Sequence, residues 1–177
     1  MKKRWLLICI VILTFCSKEE QKDAKEIELP SQIVDNIKME ESSTGKKRYY
    51  LEGKRAFYYD KSSKIVVLEP NITFLGPDKE PTSEVTCDSG VVNNRTGDLF
   101  AYGHVIVVTN DSTVLRTDSL AWLNRKALIE TDAEVLIISK DGEVRGKGLI
   151  SDADLAKIEI KEKIEGSTDY NIEGENP

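Results

Sequence analysis

His104 is the only histidine in the 177-residue chain, and Cys87 is the only cysteine beyond position 16. A catalytic triad would need that histidine beside an activated nucleophile, and no Gly-x-Ser-x-Gly elbow is present. A zinc site would need more His and Cys ligands than the chain owns there. His104 falls in a turn before Val105, in a column shared with Asn71 and Glu134, and so reads as a solvent-exposed turn residue. Cys87 cannot form an internal disulfide alone and reads as a small, inert apolar residue. Asp88-Ser89 and Asp118-Ser119 recur at one place, which Arg55-Ala56 holds elsewhere, and this recurrence reads as strand-end geometry. Asp152 and Asp154 flank a turn in the same way. Asn71-Ile-Thr, Asn94-Arg-Thr and Asn110-Asp-Ser match a glycosylation pattern, but a bacterial-type leader leaves that match without meaning. No catalytic residue, metal ligand set or cofactor site is expected.

The elements around these residues carry more information. Residues 57–75, 90–108 and 120–138 align as three copies of one unit without a gap. Each reads as strand, turn, strand, turn, strand. The turns are Asp60-Lys-Ser-Ser-Lys, Asn93-Asn-Arg-Thr-Gly-Asp and Leu123-Asn-Arg-Lys, polar clusters between β-branched runs. A second break follows at Glu69-Pro-Asn, Tyr102-Gly-His and Thr131-Asp-Ala. The apolar anchors Ile72, Val105 and Val135 lie 33 and then 30 residues apart. A unit that cannot bury its own apolar face must stack on its neighbours. The columns Val66/Leu99/Ile129, Ile72/Val105/Val135 and Phe74/Val107/Ile137 stay apolar, and Tyr59/Val92/Trp122 stays bulky. Val67/Phe100/Glu130 admits a charge and reads as outward. With a side-chain period of two, the chain is expected to be all-β. Its interior would be lined by Tyr59, Phe74, Val92, Val107, Trp122 and Ile137. A partial fourth copy begins at Leu149, and Leu155-Ala-Lys-Ile-Glu-Ile160 reads as the final strand. Leu155, Ile158 and Ile160 would then mark an unpaired edge, where strands recruit partners.

Lys2-Lys3-Arg4 precedes an apolar run from Trp5 to Phe15, and Cys16-Ser-Lys-Glu-Glu follows. Eleven helical residues at about 1.5 Å each reach roughly 17 Å, well short of about 30 Å of hydrocarbon. The run fits a signal-peptide core, and Leu13-Thr-Phe-Cys16 resembles a bacterial lipobox with Cys16 as the lipidated residue. Phe15 departs from the small residue usual there, which leaves an uncleaved short anchor or cleavage elsewhere as alternatives. The organisation expected is therefore a leader over 1–15, a tether over 16–32, one β-domain over 33–166 and a disordered tail over 167–177. Without residues 1–15 the chain keeps 22 basic residues, three fewer than its full 25, against 31 acidic ones. That net charge of −9 argues against nucleic acid and against a polybasic membrane patch.

Gly146-Lys-Gly-Leu-Ile-Ser-Asp-Ala-Asp-Leu-Ala-Lys-Ile-Glu-Ile-Lys161, followed by Glu165-Gly166, resembles the C-terminal signature of the LptC family. Leu51-Glu-Gly-Lys-Arg-Ala56, Asp88-Ser-Gly90, Gly103-His-Val105 and Leu115-Arg-Thr-Asp-Ser-Leu-Ala-Trp122 fall in that family's order. The resemblance covers about residues 33–166. It implies an OstA-like, twisted β-jellyroll of two antiparallel sheets around an apolar groove. It also implies transport of lipopolysaccharide from the permease subunits of an ABC transporter to an LptA-like periplasmic bridge protein. The place implied is the periplasmic face of the inner membrane, with the lipid on Cys16 as anchor; Ser17 would in some bacteria direct a lipoprotein to the outer membrane. Many members keep an N-terminal transmembrane helix, for which this chain is too short. Two other classes stay open: a structural or adhesive β-repeat surface lipoprotein, and a small carbohydrate-active enzyme on a β-solenoid. The second lacks any carboxylate pair set in an aromatic cleft.

Overall fold

The computed structural model describes residues 27–43 and 46–168, with side chains over 27–42 and 47–162. The leader, Cys16, most of the tether and residues 169–177 lie outside the described residues. Eleven strands follow one another: β1 (Gln32–Ser43), β2 (Lys46–Tyr59), β3 (Lys64–Leu68), β4 (Asn71–Leu75), β5 (Pro81–Thr86), β6 (Ser89–Asn93), β7 (Leu99–Thr109), β8 (Val114–Leu123), β9 (Leu128–Ser139), β10 (Gly142–Ser151) and β11 (Ile158–Thr168). All pairings are antiparallel. No helix among the described residues is long and apolar enough to cross a membrane.

The pairings divide this sheet into two layers. Tyr49–Glu52 of β2 pair with β4, whereas Arg55–Tyr59 pair with β3. Leu99–Tyr102 of β7 pair with β6 in one layer, and Ile106–Thr109 pair with β5 in the other. One layer thus contains β4 and β5, the other β3 and β6, and the long strands β1, β2 and β7 to β11 bend from one into the other. The bends are where the ladder slips, between Tyr102 and Val105, Thr117 and Ala121, and Lys147 and Leu149. Such bulges let a strand turn a corner. At the β7 corner Gly103 has φ 73° and His104 has φ 44°. A Cβ on Gly103 would collide with the Asp88 carboxylate, so this corner needs glycine for space as well as for φ. The recurring second break of each repeat is this corner.

Inward residues line up across the strands. In the layer of β4 and β5 the row runs Met39, Leu51, Ile72, Val85, Val107, Leu115, Ile137, Val144. In the other layer it runs Tyr58, Ile65, Val92, Leu99, Trp122, Ile129, Ser151, Ile158. The rows face each other and, apart from Val144, Ser151 and Ile158 at their far ends, belong to one core. Phe74 of one layer lies 4.7 Å from Trp122 of the other, ring centre to ring centre, and 5.7 Å from Tyr49.

Three expectations need correction. The first repeat is one residue out of step with the other two. Its hairpin pairs Tyr59 with Lys64, where the third pairs Leu123 with Leu128. Tyr58 is therefore the counterpart of Val92 and Trp122, and Tyr59 stands half-buried on the opposite face. By the same slip Val66 points outward, and Val67, read as outward, is fully buried. The cause is the first corner. It breaks into separate strands around buried Pro70, so Val67 and Ile72 are five residues apart, whereas Ala101 and Val105 are four. Proline cannot donate to a ladder and ends the strand there. Finally, Leu155 is not in the last strand: it sits in the preceding turn with φ 57° and is buried against the core. The last strand begins at Ile158 and pairs as far as Thr168, two residues past the expected end of the domain.

Candidate functional site: the interior between the layers

Of the six expected lining residues, Phe74, Val92, Val107, Trp122 and Ile137 are buried inside, and Tyr59 is not among them. Tyr58, missed in the sequence, packs on the core in its place. Because the rows run across the strands, the apolar interior extends along the stack from β2 to β11. Only Ser151 interrupts the second row, with its hydroxyl donating to Asp152 Oδ1 at 3.3 Å.

The corners hold the layers together along one side. Along the other, hairpin loops of the two layers meet at a seam. Among the described residues three hydrogen bonds cross it. Tyr49 OH donates to Gly97 O at 3.3 Å, Asn124 Nδ2 to Glu41 Oε1 at 3.1 Å, and Ser83 Oγ to Ala153 O at 2.5 Å. Burial, and then the carboxylates of Glu41 and Asp98, push the Tyr49 hydroxyl well above its ordinary range, so it remains a donor. Asn124 is held tightly: its backbone N–H donates to Asp98 Oδ1 at 2.9 Å, and Nδ2 also donates to Thr96 O at 3.1 Å. Gly97, with φ 71°, fits because a Cβ there would strike both Asn124 Nδ2 and the Glu41 carboxylate. Three buried atoms, Asn124 Oδ1 at this seam, Trp122 Nε1 and Arg48 Nε on β2, have no hydrogen-bond partner among the described residues. A buried polar atom left unpaired costs about 1–3 kcal/mol.

The residues weighed for chemistry are scattered. His104 is exposed at the β7 corner, with Nδ1 2.8 Å from Asp88 Oδ2. The hydrogen bond and charge of Asp88 raise its pKa above the ordinary value. His104 shares a surface concavity of 580 Å³ with Arg116, Asp118, Glu134 and Arg145, on the outside of the corners and not in the interior. Cys87 is buried, donates its thiol to Ser89 O at 3.2 Å, and is pushed up in pKa by burial. A thiol rather than a thiolate is inert. Asp152 caps the turn into β11, accepting from the N–H of Ala156 at 2.8 Å and of Lys157 at 3.1 Å.

The same two strands, β1 and β11, edge both layers, since β1 pairs only with β2 and β11 only with β10. Ile158, at 37% exposure, and Ile160 lie on β11; Leu155 does not. The family model described as "Lipopolysaccharide-assembly, LptC-related" matches residues 5–169. The chain belongs to the LptC-related family. Membership makes it a lipopolysaccharide-assembly protein, and the Gly146–Lys161 stretch that first suggested this forms the end of β10, the Asp152 turn and the start of β11. A comparison with curated protein sequences finds no match. Among solved structures the chain is similar to LptH from Pseudomonas aeruginosa, the LptA-homologous periplasmic component of the lipopolysaccharide transport device. The two share 9% identity over 63% of this chain and 80% of that one, with a TM-score of 0.49.

Proposed function

We propose that this LptC-related protein accepts lipopolysaccharide from an ABC transporter in the inner membrane and passes it, acyl chains between the layers, to an LptA-like bridge protein. The observation that carries this reading is the pair of inward, mostly apolar rows, one running from β1 to β10 and the other from β2 to β11. Each CH₂ kept out of water is worth about 0.8 kcal/mol, so a chain of about a dozen carbons gains on the order of 10 kcal/mol inside. The three hydrogen bonds across the seam hold it closed by roughly 0.5–1.5 kcal/mol each. Parting the layers also gives up packing between them, such as Phe74 on Trp122, which acyl chains would replace, and the empty protein stays shut on its own core.

The two edges suit two partners. β11 offers backbone groups for the first strand of the bridge protein, a strand-addition mode of binding. β1 faces the permease subunits in this reading. Its surface charges pair with β2, as in Arg55–Asp35 at 2.5 Å and Lys38–Glu52 at 2.6 Å, which keeps the edge hydrated and specific. Lipidated Cys16 anchors the chain, on a tether long enough to let the domain stand off the membrane. The mass of the mature N-terminal peptide tests the anchor, and an unmodified Cys16 would refute it.

Photo-crosslinking tests the whole reading. A photoreactive residue at inward Phe74, Val107 or Ile137 should capture lipopolysaccharide in cells, and one at Glu130 or Glu159 on the outer face should not. Equal labelling from both sets would end the idea of an interior path.

A further inference from the structure

The two outer faces of the molecule differ. On the layer of β3 and β6, one outward row runs Ile33, Phe57, Val66, Val91, Phe100, Ala121 from β1 to β8, and turns acidic only at Glu130 of β9. Ile33 is 58% exposed, and Leu68 and Tyr102, at 37% and 46%, flank the row toward the corners. The Arg55–Asp35 pair beside it neutralises itself. Six strands at about 4.8 Å make the strip roughly 25 Å long. The outer face of the other layer instead carries charge at Glu52, Glu84, Arg116 and Arg145. A contiguous apolar surface of this kind marks a docking face.

Basic side chains line the strip on its loop side. Lys64 stands opposite Asn93, Arg95 Nε donates to Ser63 Oγ at 2.8 Å, and Asn124 bonds to Asp98 and Thr96. The loops bearing Lys64, Arg95 and the exposed Arg125–Lys126 pair therefore follow one another along the edge. None of these four cations is in an ion pair among the described residues. Asp98 is taken up by Asn124 N–H and Thr96, and Asp60 is the one fully exposed acid of the three loops. The chain as a whole is acidic, yet this edge is basic.

The N-terminal segment joins the fold on the same side. Glu28 accepts from Ser62 N–H at 3.2 Å, and Ile27 and Leu29 beside that loop are 85% and 78% exposed. Ten residues, 17–26, lie between Cys16 and Ile27, a reach of at most about 35 Å. All but Ala24 are polar, so they cannot cover an apolar face. We infer that this face lies on the anionic surface of the membrane that holds the anchor. The apolar strip meets the interface, and Lys64, Arg95, Arg125 and Lys126 meet lipid phosphates. Each such cation strengthens binding about fivefold, and the tether makes the contact intramolecular. The inference takes from the proposed function only the anchor at Cys16. The same loops form one lip of the seam, so a domain lying on this face presents the seam to the headgroups.

The test uses the full anchored chain in vesicles of mixed phosphatidylcholine and phosphatidylglycerol, without lipopolysaccharide. A photoreactive residue at Val91 or Phe100 should capture phospholipid, and one at Thr73 or Glu84 on the opposite outer face should give background only. Arg125→Glu combined with Lys126→Glu, both exposed, should cut the capture by about tenfold or more. Vesicles of phosphatidylcholine alone should do the same. Lys79→Glu combined with Lys140→Glu, in loops of the other layer, should leave it unchanged. Equal capture from the two faces, capture of a second copy of the chain in place of phospholipid, or capture indifferent to phosphatidylglycerol each overturns the proposal. All three leave the interior path standing, because the vesicles hold no lipopolysaccharide. A chain that leaves the vesicles altogether overturns the anchor as well.

Discussion

Replacing Trp122 by alanine tests the joint between the layers. The side chain is 4% exposed and its ring lies 4.7 Å from that of Phe74, which is 3% exposed and belongs to the facing layer. Truncating a buried aromatic residue to alanine costs about 3–5 kcal/mol. The ring pair contributes roughly 0.5–1.5 kcal/mol of that, recoverable as a coupling energy between Trp122→Ala and Phe74→Ala. At about 3 °C per kcal/mol for a domain of this size, Tm should fall by roughly 10–15 °C. Trp122→Phe should behave differently. It loses ring volume, but it also removes a buried donor whose missing partner costs about 1–3 kcal/mol, so the net change should stay within about 1 kcal/mol. Urea unfolding measures both, with the slope checked for constancy. A loss under about 1 kcal/mol for Trp122→Ala, or no coupling to Phe74, would mean that the two layers do not meet at these rings.

Three further outcomes are expected. Tyr58→Ala should destabilise the domain by at least about 1 kcal/mol more than Tyr59→Ala, since only Tyr58 packs on the core; equal losses would return the first repeat to the register read from sequence. His104 should titrate above 6.5 by NMR, and Asp88→Asn should bring it down. Because the folded value is the raised one, any stabilisation by this exposed pair is complete below the unfolded pKa and disappears as pH rises through the folded one; an unchanged titration in Asp88→Asn would refute the pairing. Proline at Ile158 tells little, because Ile158 opens β11, but Glu159 and Ile160 point their N–H groups to opposite sides. Of Glu159→Pro and Ile160→Pro, one should unfold the β10–β11 ladder and the other should spare the fold while losing the bridge protein in a pull-down; retention of the bridge by both would show that β11 is not the docking edge.

The all-β class, the hairpin spacing and most of the interior were legible from the repeat period and from stretches that alternate cleanly, as in Leu115–Arg116–Thr117–Asp118 and Ile129–Glu130–Thr131–Asp132. The first repeat was not, for a physical reason. Ile65-Val66-Val67-Leu68 is apolar on both faces, and alternation cannot assign a face to such a run. Its outward Val66 joins Phe57, Val91 and Phe100 in a partly buried outer row, so the misleading residue has its own packing role. Leu155 misled similarly: its spacing from Ile158 and Ile160 suits a strand, but the Asp152 cap and a left-handed backbone fold it back as a plug. The seam was hidden altogether. Glu41, Gly97 and Asn124 are separated by dozens of residues, and nothing local shows that they meet.

The shared edges carry one more consequence. Both layers end in β1 at one side and in β11 at the other, so a strand added to either end lengthens the two layers together. The ends are unlike in sequence, and joining one to the other is a heterologous contact, which does not close on itself as a two-fold dimer does. Units of this shape, joined end to end in that way, would follow one another with a direction. An assembly of such units is vectorial by construction: its head and tail are set by which strand the chain lays down first, before any source of energy acts on it.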